Sequence, residues 1–369
     1  MKVHVERAPV NVRFFTPGVF LLMGVMAAGA GAAVYRILFG LQASTNLTDT
    51  YPWGIWIGLD VESRVALAAG GFTTAALAHI FHREKYEPLV RGAILTALLG
   101  YTFAVTGLLL DLGRYYNVWH PMLPNMWQGN SVLFEVAMCV MAYLTVLYTE
   151  FSPAVCERFI GRVNLPGPLS FLNAPVHALL LLADWVLRRF MFVFIIGGVV
   201  LSCMHQSALG SLILVAPYKT SPLWFTPVIP GLFLLSAMAV GFPVVIFESL
   251  FASWAFHRRP PMELLSRLAK LASFVLGLYL IAKVSDFVIR EAYRHLLDNP
   301  FQTVMFGVEI CLGILIPLAM FLNKGVRRSP SLLFFACSSM IAGIIMNRMN
   351  VFLIAYRPLY AKTVYIPSV

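Results

Sequence analysis

Nine long apolar stretches divide the chain, and they constrain its fold more than any other feature. Each is long enough to cross about 30 Å of bilayer hydrocarbon as an α-helix. They cover residues 16–39, 54–80, 90–110, 131–149, 190–215, 229–251, 266–290, 301–321 and 332–350. Only helices and closed barrels satisfy the backbone hydrogen bonds in lipid. The sequence therefore predicts an all-α polytopic membrane protein with nine transmembrane helices.

Charged residues make up only 12% of the chain, which supports the same class. A soluble domain carries about 25%. The net charge of +10 would suit a nucleic-acid partner, but the basic residues lie in short loops between the apolar stretches, not in one patch. That distribution is typical of membrane topology. The first residues lack a small-residue cleavage site after a short apolar core, so they predict a cytoplasmic tail and not a signal peptide.

Lysine and arginine are divided unevenly between alternate loops. The N-terminal tail and the loops after spans 2, 4, 6 and 8 carry three or four each, whereas the loops after spans 1, 3, 5 and 7 carry none, one, one and two. The positive-inside rule then predicts a cytoplasmic N-terminus and a multi-pass protein of the bacterial inner membrane. The longest connection, 151–189, separates an earlier from a later group of spans. Its stretch LLLLADWVLRRFMF is consistent with a surface-lying amphipathic helix that leads into the fifth span.

Ionisable residues occur within or near the spans, where each costs about 2.5–3.5 kcal/mol if it faces lipid. They are Arg36, Asp60, Glu62, Arg64, Glu135, Glu248, Lys283, Asp286, Glu309 and Arg348. Helical spacing predicts pairs between Asp60 and Arg64, between Lys283 and Asp286, and between Asp286 and Arg290. For several of these residues, a structural ion pair or a position at the membrane interface explains the charge as well as a functional role would. For Asp60 a functional role is favoured, because its short side chain lies about two turns inside its span.

Residues 111–135, DLGRYYNVWHPMLPNMWQGNSVLFE, hold the densest polar chemistry between two spans. The predicted topology brings the outward halves of spans 2 and 5 to the same side. The candidate pocket there collects Asp60, Asp111, Arg114, Tyr115, His120, Asn130, Glu135 and His205, with Trp56 above Asp60. A quinone headgroup needs polar partners for two carbonyl oxygens, a route for two protons and aromatic or aliphatic walls. Carboxylates and a histidine beside aromatic residues meet that need.

Metal-containing cofactors are not expected in this chain. The five cysteines are scattered and form no CxxC pair, whereas iron–sulfur clusters need grouped thiolates. A membrane b-type haem usually needs two facing histidines, and His205 has no mate at its depth apart from loop residue His120. We therefore expect no haem, no iron–sulfur cluster and no metal site.

Several motifs resemble the polysulfide-reductase-type (NrfD-like) membrane subunits, and most closely the HybB kind found with periplasm-facing nickel–iron hydrogenases. The motifs are PWGIWIGLD (52–60), ALAAGGF (66–72), PLVRGAILTALLGYTFAVTGLLLDLGRYYN (88–117), NSVLFE (130–135), MHQSALGSL (204–212) and FPVVIFE (242–248). The likeness covers nearly the whole chain. The combination of DLGRYYN, NSVLFE and MHQSALGSL is specific, whereas each motif alone is weak.

The resemblance implies a tail and first helix (1–40), two four-helix bundles and a periplasmic tail (351–369). The first bundle, 53–215, holds spans 2–5 with the linker 151–189, and the second, 229–350, holds spans 6–9. A menaquinone or ubiquinone site is implied at the outer face of the first bundle. On the matching motifs it would use Asp60, Asp111, Arg114, Glu135 and His205. Glu248, Lys283, Asp286 and Glu309 are candidates for a proton path in the second bundle.

The implied partner is a periplasmic four-cluster ferredoxin-like iron–sulfur subunit, docked near residues 119–129. Through it the chain would serve a nickel–iron hydrogenase, a multihaem cytochrome c complex or a sulfur-compound reductase. Two features depart from the resemblance. Glu62 and Arg64 stand where apolar or small residues are expected, and a further helix, which would be the tenth, is expected after VYIPSV.

These observations predict a quinone-reactive subunit that exchanges two electrons and two protons between a quinone and an external iron–sulfur protein. Asp60 and His205 would exchange protons, while Arg114 and Glu135 set the electrostatics. The alternatives are a secondary transporter, to which intramembrane charges are also suited, a di-haem cytochrome b, and the membrane anchor of a multihaem cytochrome c complex. The chain would not be catalytic alone.

Overall fold

The computed structural model describes residues 15–81, 86–361 and 365–367. Within these ranges the chain is helical apart from its connections and one isolated β-bridge between Thr220 and Tyr356. Eight helices are long and apolar enough to cross a membrane. They are α1 (Pro17–Phe39), α3 (Glu87–Asp111), α4 (Val132–Phe159), α5 (Asn173–Leu214), α6 (Ile229–Ala255), α7 (Met262–Ile289), α8 (Pro300–Leu322) and α9 (Pro330–Ile354). The prediction of an all-α polytopic membrane protein is confirmed.

The remaining predicted span, α2 (57–80), is a succession of short helical segments. A π-helix, Ile57–Ser63, is followed by α-helical turns at Arg64–Leu67 and Ala69–Ala75, and a second π-helix covers Ala76–Ile80. π-Helical turns are rare and often lie at functional sites. Eight of the nine predicted spans thus coincide with long helices, and the ninth is the segmented α2. The predicted N-terminal tail, residues 1–14, lies outside the described residues.

The linker between spans 4 and 5 differs from the prediction. α4 continues to Phe159, and α5 begins at Asn173 and runs unbroken for 42 residues, about 63 Å. The helix expected to lead into span 5 is continuous with it, since residues 173–189 are the first half of α5. The sequence explains this continuity, since no glycine or proline stands between Pro175 and Gly197 to interrupt the helix.

α2 packs against helices from both predicted bundles. A Cβ on Gly70 would lie 2.9 Å from the carbonyl oxygen of Gly241. α2 and α6 can approach this closely because neither glycine has a side chain. The first π-helix of α2 also contacts α9, where Gly58 faces Met349. The division into two four-helix bundles stays a prediction, and α2 lies between them.

One end of the molecule, here called the upper end, gathers the loops before α2, α4, α6 and α8 with the C-terminal segment. The Tyr365 hydroxyl donates to the carbonyl oxygen of Thr45 at 2.9 Å, and the Asn46 side chain donates to the Ile366 carbonyl oxygen at 2.9 Å. The Ser221 amide donates to the carbonyl oxygen of Ala355. The opposite end is called the lower end.

Candidate functional site

Asp60 lies in the first π-helix of α2, beside α3. Its Oδ1 is 2.7 Å from Nη2 of Arg64, four residues further along the chain. Arg64 also donates from Nη1 to the carbonyl oxygen of Phe103 on α3, at 3.3 Å. A Cβ on Gly107 of α3 would lie 3.1 Å from the Asp60 Cβ. The bare Gly107 backbone therefore admits Asp60 against α3, and the predicted Asp60–Arg64 pair is formed.

Arg36 of α1 reaches the end of α3, where the last helical carbonyls lack intrahelical partners. Its Nε and Nη2 donate to the carbonyl oxygens of Leu110 and Leu112, each at 2.5 Å. The guanidinium carbon lies 5.1 Å from the ring centroid of Tyr115. A cation at a helix C-terminus is favoured by the helix dipole. Arg36 therefore fixes the end of α3 and, with it, the position of Asp111.

Asp111 completes what we call the upper charged group, which consists of Arg36, Asp60, Arg64 and Asp111. Arg36 donates to the carbonyl oxygens of the residues on either side of Asp111, and Asp60 and Arg64 lie against Gly107, about one turn below it on α3. The Asp111 Oδ2 is buried and has no hydrogen-bond partner among the described residues. Two carboxylates and two guanidiniums therefore lie together at the upper end, and such a group can hold and exchange protons.

His205 lies lower in the membrane region, on α5, and is 0% exposed. Its Nδ1 is 3.0 Å from the hydroxyl oxygen of Tyr101 on α3. Its Nε2 is buried and has no hydrogen-bond partner within the described part of the chain. Tyr101 also packs edge to face on Tyr143 of α4, with ring centroids 4.5 Å apart. Three helices thus position a buried imidazole with one nitrogen engaged and the other available.

A small apolar cavity lies beside His205 and extends toward the upper charged group. It is lined by Val61, Val65, Tyr101, Ala104, Val105, Leu108, Val140 and His205. Asp60 lies against Gly107, six residues after Tyr101, so it is about 9 Å further up α3 than that tyrosine. The sequence predicted a single pocket. The structure instead has two groups of polar residues at different heights, with the cavity between them.

Most predicted site residues of the loop 112–131 lie on its surface. Four exposed side chains are those of Arg114, Tyr115, Asn130 and, in the first turn of α4, Glu135. His120 is partly buried and packs edge-on against Trp119, with centroids 4.4 Å apart. Trp56 lies partly buried at the start of α2, beside Tyr365 of the C-terminal segment. These residues surround the upper end, and their roles stay predictions.

A second polar cluster is centred on Glu309 of α8. Its carboxylate accepts hydrogen bonds from four side chains, which come from α7, from the loop before α6 and from α9. The donors are Lys283 (2.5 Å), Trp224 (2.8 Å), Asn347 (2.8 Å) and Asn350 (2.9 Å). Each carboxylate oxygen accepts two of these bonds. Such complete satisfaction lets an ionised carboxylate exist in the membrane interior.

The predicted pairing of Lys283 with Asp286 is wrong, because Lys283 instead pairs with Glu309. Asp286 accepts from the Thr226 hydroxyl at 2.6 Å and pairs with Arg290 at 2.9 Å, as expected from their spacing. Lys283 and Asp286 both line a larger cavity, whose walls include Trp224, Tyr279, Phe287 and Phe306.

Glu248, the fourth residue predicted for a proton path, lies elsewhere. It belongs to α6 and sits beside Gly92 and Thr96 in the first turns of α3, toward the lower end. Its Oε2 is buried without a hydrogen-bond partner in the described ranges. The structure therefore brings three of the four predicted residues together and leaves Glu248 apart.

Two further charged residues, Glu62 of α2 and Arg348 of α9, are fully buried and form no salt bridge with each other. Arg348 donates from Nη1 to the Asn347 side chain at 2.8 Å and from Nη2 to the Ser236 hydroxyl at 2.8 Å. Its guanidinium lies 3.5 Å from the ring centroid of Phe233. Both carboxylate oxygens of Glu62 lack a hydrogen-bond partner among the described residues.

Sequence reasoning missed three contributors to these sites. Tyr101 orients His205, Arg36 holds the end of α3, and Trp224 donates to Glu309. Each acts on a partner from another helix, so no local spacing indicates it. The only available signal was chemical, since a buried tyrosine or tryptophan usually places its polar atom against a partner.

Residues 43–357 match the protein family described as "Polysulphide reductase, NrfD". The match spans most of the chain, and the chain belongs to this family. The resemblance drawn from the motifs is confirmed.

Three relatives cover most of the chain. A protein of Nitratidesulfovibrio vulgaris is 36% identical over 360 residues, which are 95% of this chain and 87% of the relative. The probable Ni/Fe-hydrogenase 2 b-type cytochrome subunit of Escherichia coli is 32% identical over 328 residues, 88% of this chain and 79% of the relative. The menaquinone reductase integral membrane subunit of N. vulgaris is 28% identical over 336 residues, which are 86% of this chain and 75% of the relative. The chain is thus related to membrane subunits of redox complexes.

Proposed function

We propose that the chain is the quinone-reactive membrane subunit of a multi-subunit redox complex. Two electrons and two protons would pass between menaquinone or ubiquinone and an external iron–sulfur protein. The observation that carries this proposal is the buried imidazole of His205 beside the apolar cavity. When the Tyr101 hydroxyl donates to Nδ1, Nε2 carries the hydrogen and can donate to a quinone carbonyl oxygen.

The upper charged group supplies the second half of the proposed site. The cavity is too small for a quinone ring as it stands, so the lining helices would have to separate to admit one. A ring bound there would have His205 below it and the Asp60 and Asp111 carboxylates above it. Reduction places two protons on the two quinone oxygens, so a proton-exchanging group is needed on each side. Arg64, whose Nη2 lies 2.7 Å from Oδ1 of Asp60, would offset the negative charge of that carboxylate when it has released its proton. The names of two relatives, a menaquinone reductase subunit and a hydrogenase subunit, support this chemistry.

Haem fits this chain poorly, although the E. coli relative is named a b-type cytochrome subunit. A bis-histidine haem needs two imidazoles that face each other at one depth. His205 is the only fully buried histidine among the residues whose side chains are described, and a tyrosine hydroxyl lies against it. We therefore assign no step to haem.

The loop 112–131 is the proposed docking surface for the iron–sulfur partner. It presents exposed aromatic side chains directly above the upper charged group, among them Tyr116, Trp119 and Trp127. Aromatic residues are enriched in the cores of protein interfaces. A four-cluster ferredoxin-like subunit bound there would bring its nearest cluster close to the quinone. A hydrogenase or a multihaem cytochrome c subunit would exchange electrons through it.

The cluster of Lys283, Asp286 and Glu309 is the proposed proton path in the second group of helices. Lys283 and Asp286 line its cavity, and Lys283 donates to Glu309 at 2.5 Å and to the Tyr279 hydroxyl at 3.5 Å. Glu248 lies toward the opposite end and would serve the lower end of such a path.

Two substitutions test the proposed quinone site in the complex purified with its partner subunits. His205→Gln and Asp60→Asn should each lower quinone-linked electron transfer about 100-fold or more, because a positioned proton donor contributes at least that much. Both variants should keep the partner subunits bound.

Asp184→Asn is the matched control. Asp184 pairs with Arg188 at the same four-residue spacing and at 2.8 Å, but on the lower half of α5. Its side chain is 19% exposed, against 17% for Asp60. Turnover in Asp60→Asn equal to that in Asp184→Asn would refute the assignment of Asp60, and unchanged turnover in His205→Gln would refute the site.

A further inference from the structure

One face of α5 continues downward from His205 toward the lower end of the molecule. Gly198, Ser202 and His205 stand at positions i, i+4 and i+7, so they share this face of the helix. Ser202 is therefore about 4.5 Å below His205, and Gly198 is about 6 Å below Ser202. Ser202 is 0% exposed, and its hydroxyl has no hydrogen-bond partner among the described residues.

The facing side of α4 carries two ionisable side chains along the same line. Glu150 lies against Gly198, where a Cβ on the glycine would be 2.7 Å from Oε1 of the glutamate. Tyr143 is seven residues earlier on α4, so it lies on the same face and about 10 Å higher. Its ring packs on that of Tyr101, and its hydroxyl is buried without a hydrogen-bond partner in the described part of the chain. Because α4 and α5 run antiparallel, Tyr143 comes opposite Ser202.

A charged group lies below Glu150 at the lower end. Glu157 is seven residues after Glu150, so it lies on the same face of α4 and about 10 Å lower. It pairs with Arg91 of α3 at 3.0 Å and lies 3.7 Å from Arg188 of α5, and its side chain is 41% exposed. Glu150 is partly buried and forms no salt bridge with any described residue. A solvent-exposed carboxylate thus stands below a carboxyl group that has no cation beside it.

The groups along this line have the chemistry that proton transfer needs. A carboxyl group in apolar surroundings without a cation is favoured in its neutral, protonated form. In that form it both donates and accepts hydrogen bonds, as the hydroxyl groups do. Neighbouring groups along α5 are about 5–6 Å apart, a gap that one hydrogen-bonded water molecule spans. Packing alone does not account for the two unpartnered hydroxyls of Ser202 and Tyr143, because buried polar groups rarely lack a partner.

We propose that Glu150 takes up protons from the lower end and relays them to His205. The hydroxyl groups of Ser202, Tyr143 and Tyr101 lie between the two. The proposal rests on the proposed quinone function and names the source of one of its two protons.

Each proton transfer is balanced by the next one along the line. As the quinone oxygen takes the hydrogen from Nε2 of His205, Nδ1 receives the hydrogen of the Tyr101 hydroxyl. Tyr101 regains a proton through Tyr143 or Ser202 from Glu150, which is reprotonated from the lower end. Exchange of the ring proton between the two nitrogens resets the imidazole. The electrons come from the iron–sulfur partner, and quinol oxidation reverses every transfer.

The first test replaces Glu150 in the complex with its partner subunits, reconstituted in liposomes. A membrane-impermeant reduced dye outside drives only the complexes whose lower end faces the lumen, where a trapped pH-sensitive dye reports proton uptake. Glu150→Gln should lower quinone reduction and lumenal proton uptake about 100-fold, since a positioned proton donor contributes at least that much. Glu150→Asp keeps an acid and should lose less. Wild-type rates of both processes in Glu150→Gln overturn the proposal.

A small acid distinguishes lost proton transfer from lost structure. Formate added to Glu150→Gln can replace the missing carboxyl group and should restore turnover. It should have no effect on the wild type or on His205→Gln, in which the group next to the quinone is missing. A loss of turnover in Glu150→Gln that formate does not restore contradicts the relay.

Gly198→Ala moves the carboxyl group without changing any ionisable residue. The new Cβ would be 2.7 Å from Oε1 of Glu150, so the flexible end of that side chain must shift. We expect turnover to fall about 10- to 100-fold, because a misplacement of about 1 Å can cost that much. The thermal midpoint should change little. Gly197→Ala, whose Cβ has no atom within 4 Å, is the matched control. Equal turnover in the two variants contradicts the assigned path.

Chemical labelling tests Glu150 without quinone turnover. Dicyclohexylcarbodiimide modifies carboxyl groups that are protonated in apolar surroundings, and mass spectrometry of the wild-type complex identifies the modified residue. We expect labelling of Glu150 and none of Glu157, whose carboxylate is paired with Arg91. If the wild-type complex shows no quinone-dependent turnover, the proposed function fails, and the labelling still decides whether Glu150 carries a proton. An unlabelled Glu150 overturns the relay whether or not the complex turns over quinone.

Discussion

Replacing Tyr101 by phenylalanine removes a single hydroxyl group from the proposed quinone site. That hydroxyl lies 3.0 Å from Nδ1 of His205, and the imidazole is fully buried. The variant therefore leaves a buried polar nitrogen unsatisfied, which costs about 1–3 kcal/mol. The aromatic ring and its edge-to-face contact with Tyr143 are retained. If the lost interaction holds His205 in its reactive orientation, the cost falls on the reaction step and lowers turnover about 5- to 160-fold.

The assay is steady-state quinone reduction or quinol oxidation by the purified complex. Tyr148→Phe is the matched control. Its hydroxyl lies 3.1 Å from that of Thr102, next to Tyr101 on α3, but Tyr148 is 49% exposed on the outer surface of the bundle. We expect the control to keep its turnover. If both variants have the same turnover and similar thermal midpoints, Tyr101 does not orient a reactive histidine.

Three further substitutions test the packing and the charge contacts. Gly343→Ala would place a Cβ 2.0 Å from a backbone atom of α8, so α8 and α9 must separate, and we expect a loss of about 1–3 kcal/mol or more in a thermal unfolding assay. Arg36→Gln removes the charged donors from the end of α3 and should lower both the thermal midpoint and quinone-linked turnover. Trp224→Phe removes one of four donors to Glu309, and we expect a destabilisation of about 1–3 kcal/mol in the same thermal assay.

Each of these substitutions has a control elsewhere in the chain. Gly277→Ala on α7 introduces a Cβ with no atom within 4 Å of it. Arg91→Gln removes a solvent-exposed pair with Glu157, which contributes about 1 kcal/mol or less. Trp185→Phe alters a tryptophan that is 65% exposed. A test variant that is no less stable than its control contradicts the contact assigned to it.

The long helices were predictable because lipid leaves the chain few alternatives. A stretch of about 20 apolar residues must become a helix in a membrane, and eight of the nine stretches did so. The segmented α2 was not predictable in this detail. Its π-helical turns do not follow the 3.6-residue period, so the relative directions of Asp60 and Glu62 could not be read from helical spacing. α5 is also longer than predicted. The apolar stretch begins only after the charged residues 188–189, whereas helix propensity lets the helix continue through them.

The candidate site was predictable only as far as local spacing reaches. Asp60 with Arg64 and Asp286 with Arg290 are neighbours on one helix, and both pairs are formed. Lys283 had two carboxylates within reach, and spacing alone favoured the wrong one. Its true partner, Glu309, belongs to another helix. The sequence therefore identifies which residues carry the chemistry more reliably than it identifies their partners.

Charge balance extends sequence reasoning past this limit. When the two pairs within single helices are set aside, the charged residues that are not exposed in the upper halves of the helices are Arg36, Lys283, Arg348, Asp111, Glu62 and Glu309. There are three cations and three acids. Because lipid solvates neither kind, each cation needs an acceptor from another helix. In the structure Lys283 meets Glu309, Arg36 donates to two backbone carbonyl oxygens at the end of α3, and Arg348 donates to the Ser236 hydroxyl of α6. Charge balance thus predicts that each buried cation makes a contact between helices, and the fold decides whether its acceptor is an acid or a neutral group.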